Sequence, residues 1–194
     1  MDDALSLKLV DDYIETDCLL AGHVLLPRDG RTLERDYYVS DGRLLPGKVR
    51  HYLDQGHTLS LRNLQDLFPF FRGVFRAIQR ETCYPCHATG YLTPPGARGL
   101  SWHWDLYTVV VAQIAGTKTW PLYRPQVTAP MREHLSFPKT TTSAALRDRL
   151  AGKKPDMVCA LAPGDTLWLP RGWIHHPRPR GRPRACTSRS RCGN

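Results

Sequence analysis

Residues 101–123, Ser-Trp-His-Trp-Asp-Leu-Tyr-Thr-Val-Val-Val-Ala-Gln-Ile-Ala-Gly-Thr-Lys-Thr-Trp-Pro-Leu-Tyr, decide how this chain is read. Tyr107 to Ile114 is rich in β-branched side chains, which suit a pleated, half-buried surface, so it reads as a strand. Ala115-Gly116 supplies a turn, and Lys118 to Tyr123 runs back as a second strand. Upstream, His103 and Asp105 stand two residues apart. On extended backbone such residues share a face, so their side chains converge while Trp104 turns away.

The same texture continues on both sides. His87 to Thr93 is a strand ended by Pro94-Pro95-Gly96, and Pro163-Gly164-Asp165 turns the chain into Thr166-Leu167-Trp168-Leu169. Many short strands with turns between them favour a sandwich or closed barrel over a βαβ fold. Earlier, Cys18 to Leu26 reads as a strand ended by Pro27, and Asp29-Gly30 as a turn. Pro69 opens a helix at its first position; Phe71, Val74, Phe75 and Ile78 then recur at helical spacing, the pattern of a core-facing stripe. Residues 126–156 are polar, with an amphipathic piece near 143–151, and read as an insertion or lid. The expectation is a mainly β protein with flanking helices, in three segments. Residues 1–86 flank the barrel, 87–177 form its core with the insertion at 126–156, and 178–194 make a disordered Arg/Pro-rich tail.

Bulk properties narrow the function classes. A chain of 194 residues suits one domain with its own core. No apolar run approaches the roughly 18–20 residues that span a bilayer. The acidic start Met1-Asp2-Asp3-Ala4 leads into no secretory apolar region, and the six cysteines show no disulfide framework. A cytoplasmic protein is expected. The net charge of +9 is concentrated at one end: positions 171–194 hold seven arginines, and no acidic residue follows Asp165. The remaining residues carry 20 basic against 18 acidic side chains, so no nucleic-acid-binding face is expected.

The chemistry needs a third partner for His103 and Asp105. Leu169-Pro170-Arg171-Gly172-Trp173-Ile174-His175-His176 offers one. Two imidazoles and one carboxylate hold one face of a non-haem iron(II) and leave the other open. His175 and His176 are rivals for that place; neighbours on a strand face opposite ways, so both cannot serve. Lys118 lies fifteen residues after His103, just past the turn, where it can be a solvated hairpin lysine or can meet the distal carboxylate of a dicarboxylic cosubstrate. Tyr91, on the preceding strand, can donate its hydroxyl to the same carboxylate; equally, it can be a core tyrosine with its hydroxyl at the rim. Two other motifs carry less. Cys83-Tyr84-Pro85-Cys86-His87 matches the c-type haem attachment pattern but sits immediately before a strand, without an export signal. Gly152-Lys153-Lys154 is no phosphate loop, because Arg147 stands where the first glycine belongs.

Four motifs in order now carry a resemblance: Tyr91-Leu92-Thr93-Pro94-Pro95-Gly96, His103-Trp104-Asp105, Gln113 to Tyr123, and Pro163 to His175. In these the chain resembles the JmjC-type cupin oxygenases, in the ribosomal-oxygenase branch that hydroxylates ribosomal proteins. The likeness covers residues 15–177 and is strong from 89 onward. It implies a double-stranded β-helix and hydroxylation dependent on iron(II), 2-oxoglutarate and O2, with a protein substrate. It also implies that His103, Asp105 and His175 ligate iron, His175 being favoured over His176 by its place in the motif. Lys118 and Tyr91 would hold the distal carboxylate. The chain departs from the family at Pro177-Arg178-Pro179-Arg180-Gly181-Arg182-Pro183-Arg184, where a regular strand is expected. A truncation or frame change near residue 177 would leave the barrel without its last strand. Two further readings stay open: a catalytically impaired remnant acting as a binding module, and a metal cupin that uses no 2-oxoglutarate.

Overall fold

A computed structural model of the chain describes residues 5–16, 19–98, 100–128, 130–131 and 146–179. Helix α1 (Leu7–Glu15) starts where the Ser6 hydroxyl accepts the Leu9 N–H at 3.1 Å, and it buries Val10 and Ile14. After a 3₁₀ turn at Ala21–His23 comes β1 (Val24–Leu25). The strand expected from residue 18 is therefore confined to two residues in the described part, because the turn interrupts its start; Cys18 itself lies outside the described residues. Strands β2 (Pro27–Arg28) and β3 (Arg31–Thr32) form a hairpin, as do β4 (Val39–Ser40) and β5 (Arg43–Leu44). Both close through Asp-Gly pairs with positive φ, Asp29-Gly30 and Asp41-Gly42. Helix α2 (Pro46–Asp54), strand β6 (Leu59–Arg62), short α3 (Leu64–Leu67) and α4 (Pro69–Thr82) complete this half.

Strand β7 (Thr89–Leu92) pairs with β6, giving a three-stranded antiparallel sheet in the order β1-β6-β7. Its faces differ. Leu59, Leu61 and Leu92 join a core with Val10, Ile14, Val24, Leu26, Tyr38 and Val49. On the other face Ser60 stands opposite Tyr91. This pairing puts residues on either side of position 86 into one sheet.

The rest is built from β8 (Val109–Ala112), β9 (Lys118–Tyr123), β10 (Met157–Leu161), β11 (Thr166–Leu169), β12 (Ile174–His175) and β13 (Arg178–Pro179). Strand β8 pairs with β11, and β9 lies between β10 and the β12–β13 line. All of these pairings are antiparallel. The architecture is thus a set of small antiparallel sheets with flanking helices. Trp120, Leu122, Leu161 and Leu169 form a second core, with Val109 and Val111 against it. Tyr123, Ile174 and Leu146 form a third, with Trp102 and Trp104. Leu146 belongs to a helical stretch at residues 146–150, within the expected amphipathic piece; residues 132–145 lie outside the described residues.

Two expectations need correction. The stripe on α4 is only partly core: Val74 and Ile78 are 37% and 39% exposed, Phe71 and Phe75 are partly buried, and no residue of α4 is fully buried. Phe71 packs onto the first core beside Phe68, and Phe75 lies 6.2 Å from Phe71, while Val74 and Ile78 stay exposed. Nor does the strand stop at His175. Partners step evenly from Ile174↔Tyr123 and His175↔Leu122 to Arg178↔Thr119 and Pro179↔Lys118, one register carried past the His176-Pro177 break. Pro121 and Pro177 fall within this stretch, and neither has an N–H to give the ladder. Residues 180–194, where the disordered tail and the absent last strand were expected, lie outside the described residues.

Candidate metal centre

The site begins as a backbone bridge. His103 and His175 are antiparallel partners, exchanging N–H···O bonds of 3.1 and 2.9 Å. Directly opposed residues present their side chains to the same face, so the two imidazoles meet with ring centroids 4.2 Å apart. Asp105 joins from the same segment. Its carbonyl accepts the Gly172 N–H at 2.9 Å, tying it to the turn that leads into β12. Gly172 has φ +87, and a Cβ there would lie 2.8 Å from Pro130 Cδ, so the turn requires glycine twice over. One donor atom from each of His103, Asp105 and His175 lies within 4.8 Å of the others, and His175 Nε2 is 3.7 Å from Asp105 Oδ2.

Both histidines are set in the same way. His103 Nδ1 donates to the carbonyl of Ser101 at 2.6 Å, and His175 Nδ1 donates to the carbonyl of Trp173 at 3.0 Å. A carbonyl only accepts, so each ring carries a proton on Nδ1, which leaves Nε2 as the atom that can face a metal. Burial pushes the His175 pKa down to about 3, with the His103 charge adding to the effect, so this ring is neutral at ordinary pH. Two imidazoles presenting Nε2 and one carboxylate make a donor set that fits a divalent iron. The sequence had no direct mark for the Ser101 and Trp173 acceptors, though each stands two residues before its histidine.

His176 faces away. Its ring is buried, stacked on Trp102 at 3.7 Å, with Tyr123 at 6.2 Å, and Arg178 Nε donates to its Nδ1 at 3.1 Å. Burial and the charges of Arg178 and Arg98 push its pKa down to about 4. The bridge therefore carries the His103/His175 pair on one face and a Trp102/His176 stack on the other.

Lys118 and Tyr91 come together, with Tyr91 near Asp105. The Lys118 amine donates to the Tyr91 backbone carbonyl at 3.4 Å, and burial lowers its pKa. Tyr91 stands opposite Ser60 in the β6–β7 register. Burial, then the nearby charge of Asp105, raises the Tyr91 pKa, keeping the phenol protonated and able to donate. Ser60 escaped the sequence reading because its place opposite Tyr91 comes from cross-strand register. The Cys83–His87 motif lies elsewhere: Cys83 ends α4 in the left-handed conformation, and His87 meets Tyr107 edge-on at 5.4 Å. Among the described residues His103, Asp105 and His175 are the one cluster of this kind.

Comparison with known proteins gives a family match. Residues 71–191 match the JmjC domain family. The chain is 32% identical over 145 residues, 73% of its length, to the bifunctional lysine-specific demethylase and histidyl-hydroxylase NO66 of Aedes aegypti. It is 29% identical over 174 residues, 88% of its length, to the protein of the same name from Drosophila simulans. Against ribosomal oxygenase 1 of Danio rerio it is 29% identical over 142 residues, 73% of the chain. These alignments cover 21%, 19% and 25% of the respective relatives, so the chain spans about a fifth to a quarter of their length.

Proposed function

The chain belongs to the JmjC domain family, and from that premise we propose that it is an iron(II)- and 2-oxoglutarate-dependent dioxygenase hydroxylating a protein side chain. The fold proposed with it is the double-stranded β-helix. His103, Asp105 and His175 would hold the metal, and Lys118 and Tyr91 the distal carboxylate of 2-oxoglutarate. The observation that carries the reading is the meeting of three donor atoms within 4.8 Å, with a half-buried lysine on the strand that pairs with that of His175. The relatives' names point to histidyl or lysyl side chains, and to ribosomal proteins, as the substrate class.

When bound, iron(II) and 2-oxoglutarate supply the oxygen activation, with the cosubstrate decarboxylated to succinate. The protein prepares for them. Backbone carbonyls hold each Nδ1 proton, so both Nε2 atoms are available without a tautomer change. The low pKa of His175 removes proton competition at that position near neutrality. Lys118, partly stripped of water, offers a cation whose charge a bound carboxylate would stabilise. Tyr91, kept protonated, offers a neutral donor beside it.

The test is spectroscopic and then chemical. Iron(II) and 2-oxoglutarate, added without oxygen, should produce the metal-to-ligand charge-transfer band, and admitting O2 should release succinate. Absence of the band in the unaltered protein overturns the assignment, as does a band unaffected by Lys118→Ala. A band without succinate favours the binding-module reading instead.

A further inference from the structure

His103 and His175 are joined by a single backbone bridge, and the ladder has little room to continue. One step outward in the same register, Trp102 stands opposite His176; at the next, Ser101 stands opposite Pro177. Proline has no N–H, so Pro177 cannot extend the ladder on that side. On the other side, the Gly172 N–H to the Asp105 carbonyl is the remaining backbone tie between the ligand segments among the described residues.

Side chains close what the backbone leaves open. Beside a hydrogen-bonded pair comes the closer, non-hydrogen-bonded pair, where opposed side chains approach best. Here Trp102 and His176 stack with ring centroids 3.7 Å apart and planes 27° from parallel. Alternation turns both rings away from the side that faces the metal. His176 is only 6% exposed, and Trp102 also packs on Tyr123 of the third core, with ring centroids 5.0 Å apart. Arg178 Nε holds the edge of the His176 ring by donating to Nδ1 at 3.1 Å. Nε2 of His176 is buried without a partner among the described residues, so the ring serves the bridge with its face rather than with a second hydrogen bond.

We propose that the Trp102–His176 stack, pinned by Arg178, is the positioning device of the metal centre: it clamps the two ligand segments from behind and fixes the separation of the His103 and His175 Nε2 atoms. Each ring of the clamp is the sequence neighbour of the ligand it steadies. His176, which spacing alone offers as a rival ligand, is then a positioning residue for His175. The inference rests on the assignment of His103, Asp105 and His175 proposed above, and not on the cosubstrate.

The experiment reads metal binding by the full chain, without turnover. Zinc(II) affinity is measured by calorimetry, and the visible ligand-field bands of bound cobalt(II) report the geometry of the donor set. Trp102→Leu and His176→Leu keep apolar bulk in place but remove a stacked ring. Each should weaken zinc binding about tenfold, the scale of a lost outer-shell partner, and shift the cobalt bands. Combining them should cost little more than either alone, since one stack is lost in every case. His176→Phe, which restores a ring face, should return both readings toward those of the unaltered protein. Folded leucine variants with unchanged affinity and bands overturn the inference and leave the metal centre standing. Loss of binding in His176→Phe as deep as in His175→Ala also overturns it, by making His176 a ligand. Failure of the unaltered protein to bind either metal, or binding untouched by His175→Ala, overturns the metal centre itself. Should the leucine variants not fold, Arg178→Ala decides in their place. Releasing the ring's edge should lower zinc affinity about threefold and shift the cobalt bands, and no change in either ends the proposal.

Discussion

The two halves of the molecule are built to different densities. Among the described residues, one core before residue 69 gathers thirteen buried apolar residues from α1, α2, the hairpins, β6 and their connections, whereas the part after residue 100 shows two clusters of four and three. Exposure follows: Trp168, on β11, is 68% exposed opposite Val110, while Leu59 and Val24 are wholly buried. Yet the candidate site draws on both halves, Tyr91 and Ser60 from the sheet backed by the dense core and the other residues from the thin strands. A rigid wall and a lightly packed set of ligand strands divide the work, so stability and metal affinity should respond to different substitutions.

The largest test of that contrast is a pair of core truncations. Leu59→Ala, in the dense half, should lose about 2–5 kcal/mol in urea unfolding, toward the upper end because its neighbours are tightly packed. Leu161→Ala, in the thinner cluster, should fall toward the lower end. Equal losses would remove the distinction. Next comes the metal: zinc(II) at about 100 times its dissociation constant should stabilise the unaltered protein by about 2.7 kcal/mol, and Asp105→Ala should abolish that gain. Retained stabilisation in Asp105→Ala would remove the carboxylate from the ligand set.

Gly172→Ala probes the joint between the two. The left-handed backbone and the contact with Pro130 should cost about 1–3 kcal/mol, and loosening the hydrogen bond to the Asp105 carbonyl should weaken zinc binding as well. Unchanged zinc affinity at reduced stability would show the turn to be structural alone.

In chelator-treated protein, acid should act through His175 and His176. Their folded pKa values, about 3 and about 4, lie below the 6.5 of a free imidazole. As pH falls below 6.5 the unfolded chain takes up protons that the folded one refuses, so stability is complete above 6.5 and declines toward the folded values. His176→Phe, which keeps a ring against Trp102, should flatten part of the fall in melting temperature between pH 6.5 and 4. An unchanged slope would mean that His176 is not buried as a neutral ring. The smallest effect belongs to the surface of the dense half: Lys8→Ala breaks an exposed i,i+4 pair with Asp12 and should cost about 0.3 kcal/mol, vanishing in salt.

Much of the site was legible because its spacing is local. His103 and Asp105 two apart, a glycine turn before Lys118, and a histidine after Gly172-Trp173-Ile174 are short-range facts. Strands β9 and β11 have the expected bounds, since β-branched and aromatic runs between turns leave little choice. Strand β10 went unread behind a polar stretch, and β6 among mixed apolar runs, because each owes its state to a partner distant in sequence. On α4 the periodic stripe was real, but periodicity states which face is apolar and not what covers it.

By itself, then, the sequence determined the spacing of the candidate ligands, the turn chemistry and the strand alternation that points two adjacent histidines to opposite faces. Those properties depend on covalent spacing and local backbone geometry. Tertiary structure decided that His175 faces His103 while His176 stacks on Trp102, and that Ser60 stands opposite Tyr91. Each is a matter of register between strands far apart in the chain, where a slip of one residue would turn every side chain to the opposite face.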